Sequence, residues 1–447
     1  MEAEDQVGKW GTQRLAWPVI AAAAVRLTLL AIVLARSGAS ALSRPDTNSY
    51  LDPGRNLLLH GRFVEAGLPE LERTPGYPLF LALTSMAGPV AAALAQVALS
   101  VLSVVLVWRL ARAVFRDGRI ALAAAWIFAF EPLSVTFSIL LLSETLFLVL
   151  FLLSLERLAE FLRERRLSVL AAAGVCLAAA TFVRPVTYYL LFALAAGFSA
   201  VFARVPSLRW KAPAVLLLSV LPWLAAWQIR NRMETGFGGF SSIQREDLYF
   251  LIAAEVKGRV EHRPLTEVQH ELGYNDEQLF LARHPAAAKW NQAQRLEFMQ
   301  SEASRVLRAH PSVFLRTHFA GTMRVALNPG AAVLISLLNT PVDDETFLRE
   351  RDQGPLRAEL WMARRHPWQM AVMAVLEGLL LALYGLAVRG AVRGGAPGAC
   401  LWLLVGVSLY FLAISGGAIA AARMRLPVMP VVCIMAAAGV ARRKAMA

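Results

Sequence analysis

Long hydrophobic runs alternate with short polar connections along most of the chain. The runs fall at residues 16–36, 90–114, 119–131, 133–155, 168–183, 186–204, 213–229, 368–388, 396–417 and 426–441. A helix needs ~20 mostly apolar residues to cross a bilayer. The pattern therefore predicts an all-α polytopic membrane protein with about ten transmembrane helices, several of them short. Two polar interruptions are long, at 37–89 and about 230–367. The expected organisation is an N-terminal transmembrane module (1–232) carrying the first loop, a loop region with amphipathic helices (233–367), and C-terminal transmembrane helices (368–447). Within the second loop, "KWNQAQRLEFMQSEASRVLRAHP" reads as an amphipathic surface helix. Segment 314–338 carries Arg316, His318 and Arg324 and reads as an interfacial helix, with a re-entrant hairpin or an added span as alternatives.

Charge adds an orientation. Arg109, Arg112, Arg116 and Arg119, then Arg157, Arg163, Arg165 and Arg166, then Arg204, Arg209 and Lys211, then Arg389 and Arg393, and finally Arg442, Arg443 and Lys444 make every second connection basic. Basic connections stay in the cytoplasm, so both termini are expected inside and both long loops outside. The net charge of +13 is thereby explained without a nucleic-acid partner. A chain that is 57% hydrophobic and 17% charged also departs from soluble composition. Cys176, Cys400 and Cys433 lie in apolar runs and suggest neither a disulfide framework nor a zinc site. The run 16–35 is longer than the ~7–15 residue core of a signal peptide, despite the small-residue "ASALS" that follows, so a retained anchor is expected.

Candidate chemistry concentrates at the outer ends of the runs. In the first loop, Asp52-Pro53 predicts a helix start and Gly61 its end. Asp46, between Pro45 and Thr47-Asn48, is either an Asx-turn residue or a carboxylate placed to meet a substrate hydroxyl. Arg184, Arg230 with Arg232, and Arg423 with Arg425 break the charge rule by falling at the outer face. Each alone is explained by snorkelling to headgroups; together they suit convergence on one anion, since the guanidinium fork matches phosphate oxygens. Glu144, in "LLSETLF", falls near the middle of the fourth run; it is a functional candidate by its place in the membrane, and structurally it reads as a buried arginine partner or a protonated Glu bonded to a neighbouring helix, away from the outer chemistry. Glu131 is expected at the interface. His262, His270, His284, His310, His318 and His366 match no zinc spacing, and no phosphate-binding G-x-x-x-x-G-K-[ST] loop occurs.

"DTNSYLDPGRNLLLHGRF" followed by "ERTPGYPLFLAL" resembles the first outer loop of GT-C glycosyltransferases that use polyprenyl-phosphate sugars, the glycosyltransferase family 39-like proteins of the protein-mannosyltransferase and aminoarabinose-transferase groups. "RMRLPVMP", residues 423–430, resembles the Arg-x-Arg-x-x-Pro element before their last span. The resemblance implies a GT-C-like helical bundle. It puts the catalytic base at Asp46, donor-phosphate binding at Arg423 and Arg425 with Arg184 and Arg230, and substrate positioning at Tyr50, Glu72, Arg73 and Tyr77. Thr47 stands where many relatives carry a second acid, so a divalent cation is not supported. The implied reaction is inverting transfer of a sugar from an undecaprenyl-phosphate donor to a hydroxyl of a glycan, lipid or protein, outside a bacterial inner membrane. A transporter or flippase for a lipid-linked or anionic substrate is the alternative, and an uptake assay in liposomes separates the two. A surface-polysaccharide polymerase or ligase would share the outer arginines but not the Asp-Tyr loop.

Overall fold

The computed structural model describes residues 2–338, 361–393 and 395–441, with side chains from Arg14 onward. The basic tail Arg442–Lys444 and positions 339–360 of the second loop lie outside the described residues. Among the described residues the regular structure is helical apart from one small hairpin. A long α1 (Glu2–Ser37) leads into α2 (Pro45–His60) and α3 (Gly76–Thr84) of the first loop. There follow α4 (Pro89–Phe115), α5 (Gly118–Ala129), α6 (Pro132–Phe137), α7 (Glu144–Glu164), α8 (Leu167–Val183), α9 (Tyr188–Val201), α10 (Pro206–Arg209) and α11 (Lys211–Thr235). The second loop holds α12 (Ile243–Asp247), α13 (Ala254–Glu261), α14 (Leu265–Glu271), α15 (Glu277–Arg283), α16 (Gln292–Ala309), α17 (Pro311–Leu327) and α18 (Ala331–Leu337). Helices α19 (Pro367–Arg393), α20 (Gly398–Ile414) and α21 (Met429–Val440) complete the bundle. Among the described residues, Arg14–Ser37, Pro89–Phe115, Pro206–Thr235 and Pro367–Arg393 are long and apolar enough to cross a membrane, and six shorter apolar helices accompany them.

The predicted run 133–155 is not one helix. It breaks between α6 and α7, and Glu144 opens α7 rather than sitting in mid-span. A break inside the bundle is tolerable only where protein groups satisfy the freed backbone. Here the Gln96 side chain donates to the Leu140 carbonyl, Thr47 Oγ1 donates to the Leu141 carbonyl at 3.0 Å, and the Leu141 N–H donates to the Leu42 carbonyl at 2.9 Å. Glu131, between α5 and α6, is buried, and its carboxylate caps α6 by accepting the Leu133 and Ser134 N–H groups. Arg26, wholly buried in α1, ties that helix to the same region by donating to Ser100 Oγ at 2.7 Å and the Ala129 carbonyl at 2.8 Å. Segment 314–338 is two helices parted at Asn328–Gly330, where Gly330 takes a φ of 80°.

The first loop also starts its helix earlier than predicted. Arg44 is the extended N-cap, its N–H donates to Thr47 Oγ1 at 2.8 Å, and Pro45 supplies the preset φ of the first turn. Asp52-Pro53 therefore lies inside α2, and Asp46 sits in the first turn. Gly61 ends the helix in the left-handed region, as expected. Gly54 lets α2 lie directly on α3, since a Cβ there would strike the Pro78 carbonyl. Beyond α2, β1 (Val64–Glu65) and β2 (Leu68–Pro69) form an antiparallel hairpin in register Val64↔Pro69. Arg230 pins this hairpin by donating to the Phe63 carbonyl at 2.9 Å and the Glu70 carbonyl at 3.1 Å. Leu71 joins Phe237, Tyr249, Phe280 and Met299 in a second apolar core, so the two loops form one cap. The predicted amphipathic α16 contributes Leu296, Met299 and Ala303 to that core.

Nearly every residue of α21 is buried, which makes the last helix the central post of the bundle. It meets α19 through glycines: a Cβ on Gly390 would land on the Met435 carbonyl, and one on Gly439 on the Leu386 carbonyl. Small residues permit such backbone approach between membrane helices. Gly390→Val is expected to force α19 off α21 and to destabilise the protein by roughly 1–3 kcal/mol or more. Thermal unfolding in detergent checks this, and an unchanged midpoint would show that the contact is slack.

Candidate active site

Five separate pieces of chain deliver charged groups to one place. The first turn of α2 carries Asp46. Arg73 follows the hairpin, in the approach to α3. Glu144 opens α7. Arg184 ends α8, held in extended backbone by the proline that follows it. Arg423 comes from a 3-10 turn, Ala422–Arg425, just before α21.

Arg423 Nη1 donates to Asp46 Oδ2 at 2.8 Å. Arg73 Nη2 lies 3.8 Å from Asp46 Oδ1 and 3.1 Å from Glu72 Oε1. Arg184 Nη1 contacts Glu144 Oε1 at 2.6 Å, and Arg423 Nε approaches the same oxygen at 3.8 Å. Tyr50 supports the cluster: Arg73 stacks 4.5 Å above its ring and donates to its hydroxyl at 3.3 Å. Tyr77 is fully buried and meets Tyr50 edge to face at 4.9 Å. Beside these charges lies a small, partly open pocket with about 20 Å³ of space for water-sized groups. Glu144, Arg184 and Arg423 form its polar side, and Phe147, Val186, Phe411, Leu426 and Pro427 its apolar walls.

Burial opposes the charged form of Asp46, but Arg423, with help from Arg73 and Arg184, outweighs it and holds the carboxyl below the usual range. Glu72 moves the other way. Its burial, reinforced by Glu246, Glu65 and Asp46, raises its carboxyl although Arg73 opposes. Asp247, at the end of α12, is pushed up to about 7 by burial and by Glu72 and Glu246, against Arg73 and Arg423. Among the described residues no three His, Cys, Asp or Glu side chains come together to hold a metal ion, and the immediate partners of Asp46 are guanidinium groups.

Asp46, Tyr50, Glu72, Arg73, Arg184 and Arg423 thus converge, with Tyr77 behind them. Arg425 and Arg230 do not. Arg425 is buried and turned the opposite way, donating to the carbonyls of Val325, Ala326 and Asn328 at 2.7–2.9 Å, where it closes the end of α17. Arg230 is committed to the hairpin carbonyls and stacks on Trp227 at 5.0 Å. Glu144 pairs with arginine as expected, but at the site itself, because the α6–α7 break lifts it there. Asp247 gave no sequence signal; only folding of the second loop over the first brings it within electrostatic reach of Glu72 and Arg73.

The hairpin edge carries a pH effect of its own. Burial and a hydrogen bond with Glu65 push the Glu70 carboxyl up to about 8 from its ordinary 4.5. The folded state then keeps a proton that the unfolded chain releases, so this contribution is complete below about pH 4.5 and is lost as pH rises toward 8. The unfolding midpoint is expected to fall over that range, and Glu70→Gln to flatten the fall. An equal slope in both proteins would assign the effect elsewhere.

Comparison with known proteins was decisive for the architecture. Residues 74–229 match the family described as dolichyl-phosphate-mannose-protein mannosyltransferase. The archaeal oligosaccharyltransferase AglB from Archaeoglobus fulgidus, solved with an inhibitory peptide and a dolichol-phosphate, superposes with a TM-score of 0.50 at 12% identity over 96% of this chain and 50% of its own. The apo form of the Archaeoglobus fulgidus oligosaccharyltransferase gives 0.51 at 11% identity over the same shares. The chain has the GT-C fold. It spans about half the length of these oligosaccharyltransferases. ArnT from Cupriavidus metallidurans bound to undecaprenyl phosphate aligns more loosely, with a TM-score of 0.41 at 12% identity over 93% of this chain and 76% of its own. No curated protein matches the sequence. Within the GT-C fold, the family match contains Glu144 and Arg184, while Asp46, Arg73 and Arg423 lie outside it.

Proposed function

We propose that this protein is an inverting glycosyltransferase that moves a sugar from a polyprenyl-phosphate donor to an acceptor hydroxyl at the extracytoplasmic face of a bacterial cell membrane. The observation that carries this reading is the union of Asp46 with Arg423, from opposite ends of the sequence, where Arg423 lines a small apolar-walled pocket. A lipid-linked sugar is an anion on a greasy tail, and the pocket offers Phe147, Phe411 and Leu426 beside Arg184 and Arg423. Two further facts favour it: a protein of like fold was solved with dolichol-phosphate, and the matched family is described by dolichyl-phosphate-mannose.

In this reading Arg184 and Arg423 bind the donor phosphate and stabilise the charge that grows on it as the sugar leaves. Asp46 accepts the proton of the acceptor hydroxyl, whose oxygen attacks the anomeric carbon opposite the departing phosphate. One displacement inverts that carbon and needs no covalent enzyme intermediate. Glu144 is the fixed counter-ion of the two arginines. Tyr50, Glu72 and Arg73 hold the α2–α3 corner that aims Asp46. Arg425 and Arg230 serve structure.

The test is reconstitution of the purified chain in liposomes with an undecaprenyl-phosphate sugar and envelope glycan, lipid or protein acceptors. Release of undecaprenyl phosphate together with an inverted glycosidic bond is expected. Movement of intact donor across the bilayer without bond cleavage would overturn the reading in favour of a flippase.

A further inference from the structure

We propose that Asp46 and the donor phosphate are alternative partners of Arg423, so that donor binding releases the base. This rests on the sugar-transfer reading above and adds a coupling to it. In the structure one oxygen of Asp46 is already engaged and the other faces a second arginine. Its Oδ2 accepts Arg423 Nη1 at 2.8 Å and its Oδ1 faces Arg73 Nη2 at 3.8 Å. A carboxylate paired with a guanidinium is a weaker acceptor for a hydroxyl proton, so opening that pair makes Asp46 a stronger base.

The two ion pairs of the site differ in how readily they open. Glu144 is 4% exposed and Arg184 19%, and their contact is 2.6 Å. Breaking that pair would strand a charge away from water. Asp46 and Arg423 are 31% and 30% exposed, so each can be rehydrated as it separates. Glu144 Oε1, 3.8 Å from Arg423 Nε, keeps Arg423 at the pocket mouth after Asp46 has left. A phosphodiester offers Arg423 two oxygens in place of one carboxylate oxygen. The step exchanges one ion pair for another: no covalent bond changes, and Asp46 leaves unprotonated, ready to act. The acceptor is deprotonated most readily when a donor is seated to receive it.

The experiment measures binding of undecaprenyl phosphate, and of uncharged undecaprenol, to the full chain in nanodiscs. Asp46→Asn removes the competing charge while keeping shape, and is expected to tighten undecaprenyl phosphate binding roughly three- to fivefold, the range of a half-exposed ion pair. Undecaprenol binding should not change. In an Arg423→Gln background the Asp46→Asn gain should vanish. Unchanged or weaker binding in Asp46→Asn overturns the exchange. So does a gain that persists in the Arg423→Gln background, which marks through-space repulsion instead. If undecaprenyl phosphate binds no better than undecaprenol to any variant, the sugar-transfer reading fails with it.

Discussion

Asp46→Asn is expected to lower the rate of sugar transfer by roughly 10²–10⁴-fold, the usual contribution of a general base. Asparagine keeps the side-chain shape and can still accept a hydrogen bond from Arg423, so the fold and the α2 first turn should survive. What it cannot do is take a proton. Transfer measured with saturating donor isolates this loss from binding. A variant that turns over at near the native rate removes Asp46 as the base and moves attention to Asp247, another carboxyl within electrostatic reach of Arg73 and Arg423.

The second large effect is expected at Glu144. Its carboxylate is buried, and Arg184 beside it has little access to water. Removing one partner of a buried ion pair typically costs about 3–5 kcal/mol, because the other charge is left uncompensated. Glu144→Ala should therefore unfold at a clearly lower temperature in detergent, and more so than Glu144→Gln, which refills the space and keeps an acceptor for Arg184. If alanine unfolds with the wild type, Arg184 has another counter-ion and Glu144 is not what holds the arginines in place.

The sequence made the bundle legible because bilayer crossing imposes a one-dimensional rule on composition. Helices α4, α8 and α11 contain the expected runs almost end to end. The break before Glu144 obeys no such rule. It exists because Gln96, Thr47 and Leu42, distant in the chain, satisfy backbone groups of residues 140 and 141. Asp46 was visible through its Pro-Asp-Thr setting and the loop resemblance. Arg423 and Arg425 were visible only as a pair. Two positions apart in a tight turn, one faces Asp46 and the other the carbonyls that end α17, and nothing local in "RMRLP" tells them apart. Arg230 misled for the same reason: a guanidinium at the outer face serves equally well to tie down a hairpin, and the hairpin carbonyls lie about 160 positions earlier in the chain.

The central post formed by α21 has a consequence for biosynthesis. This helix leaves the ribosome after the other described bundle helices, yet it fills the middle of the bundle, and the turn before it brings Arg423 to Asp46. Everything made before it must wait in the bilayer around an unfilled slot. A nascent chain stalled ahead of Arg423 is therefore expected to insert but to capture no carrier lipid. Photo-crosslinking such stalled chains to a lipid-phosphate probe would reveal any premature capture. Assembly of the charged cluster would then come in a single late event.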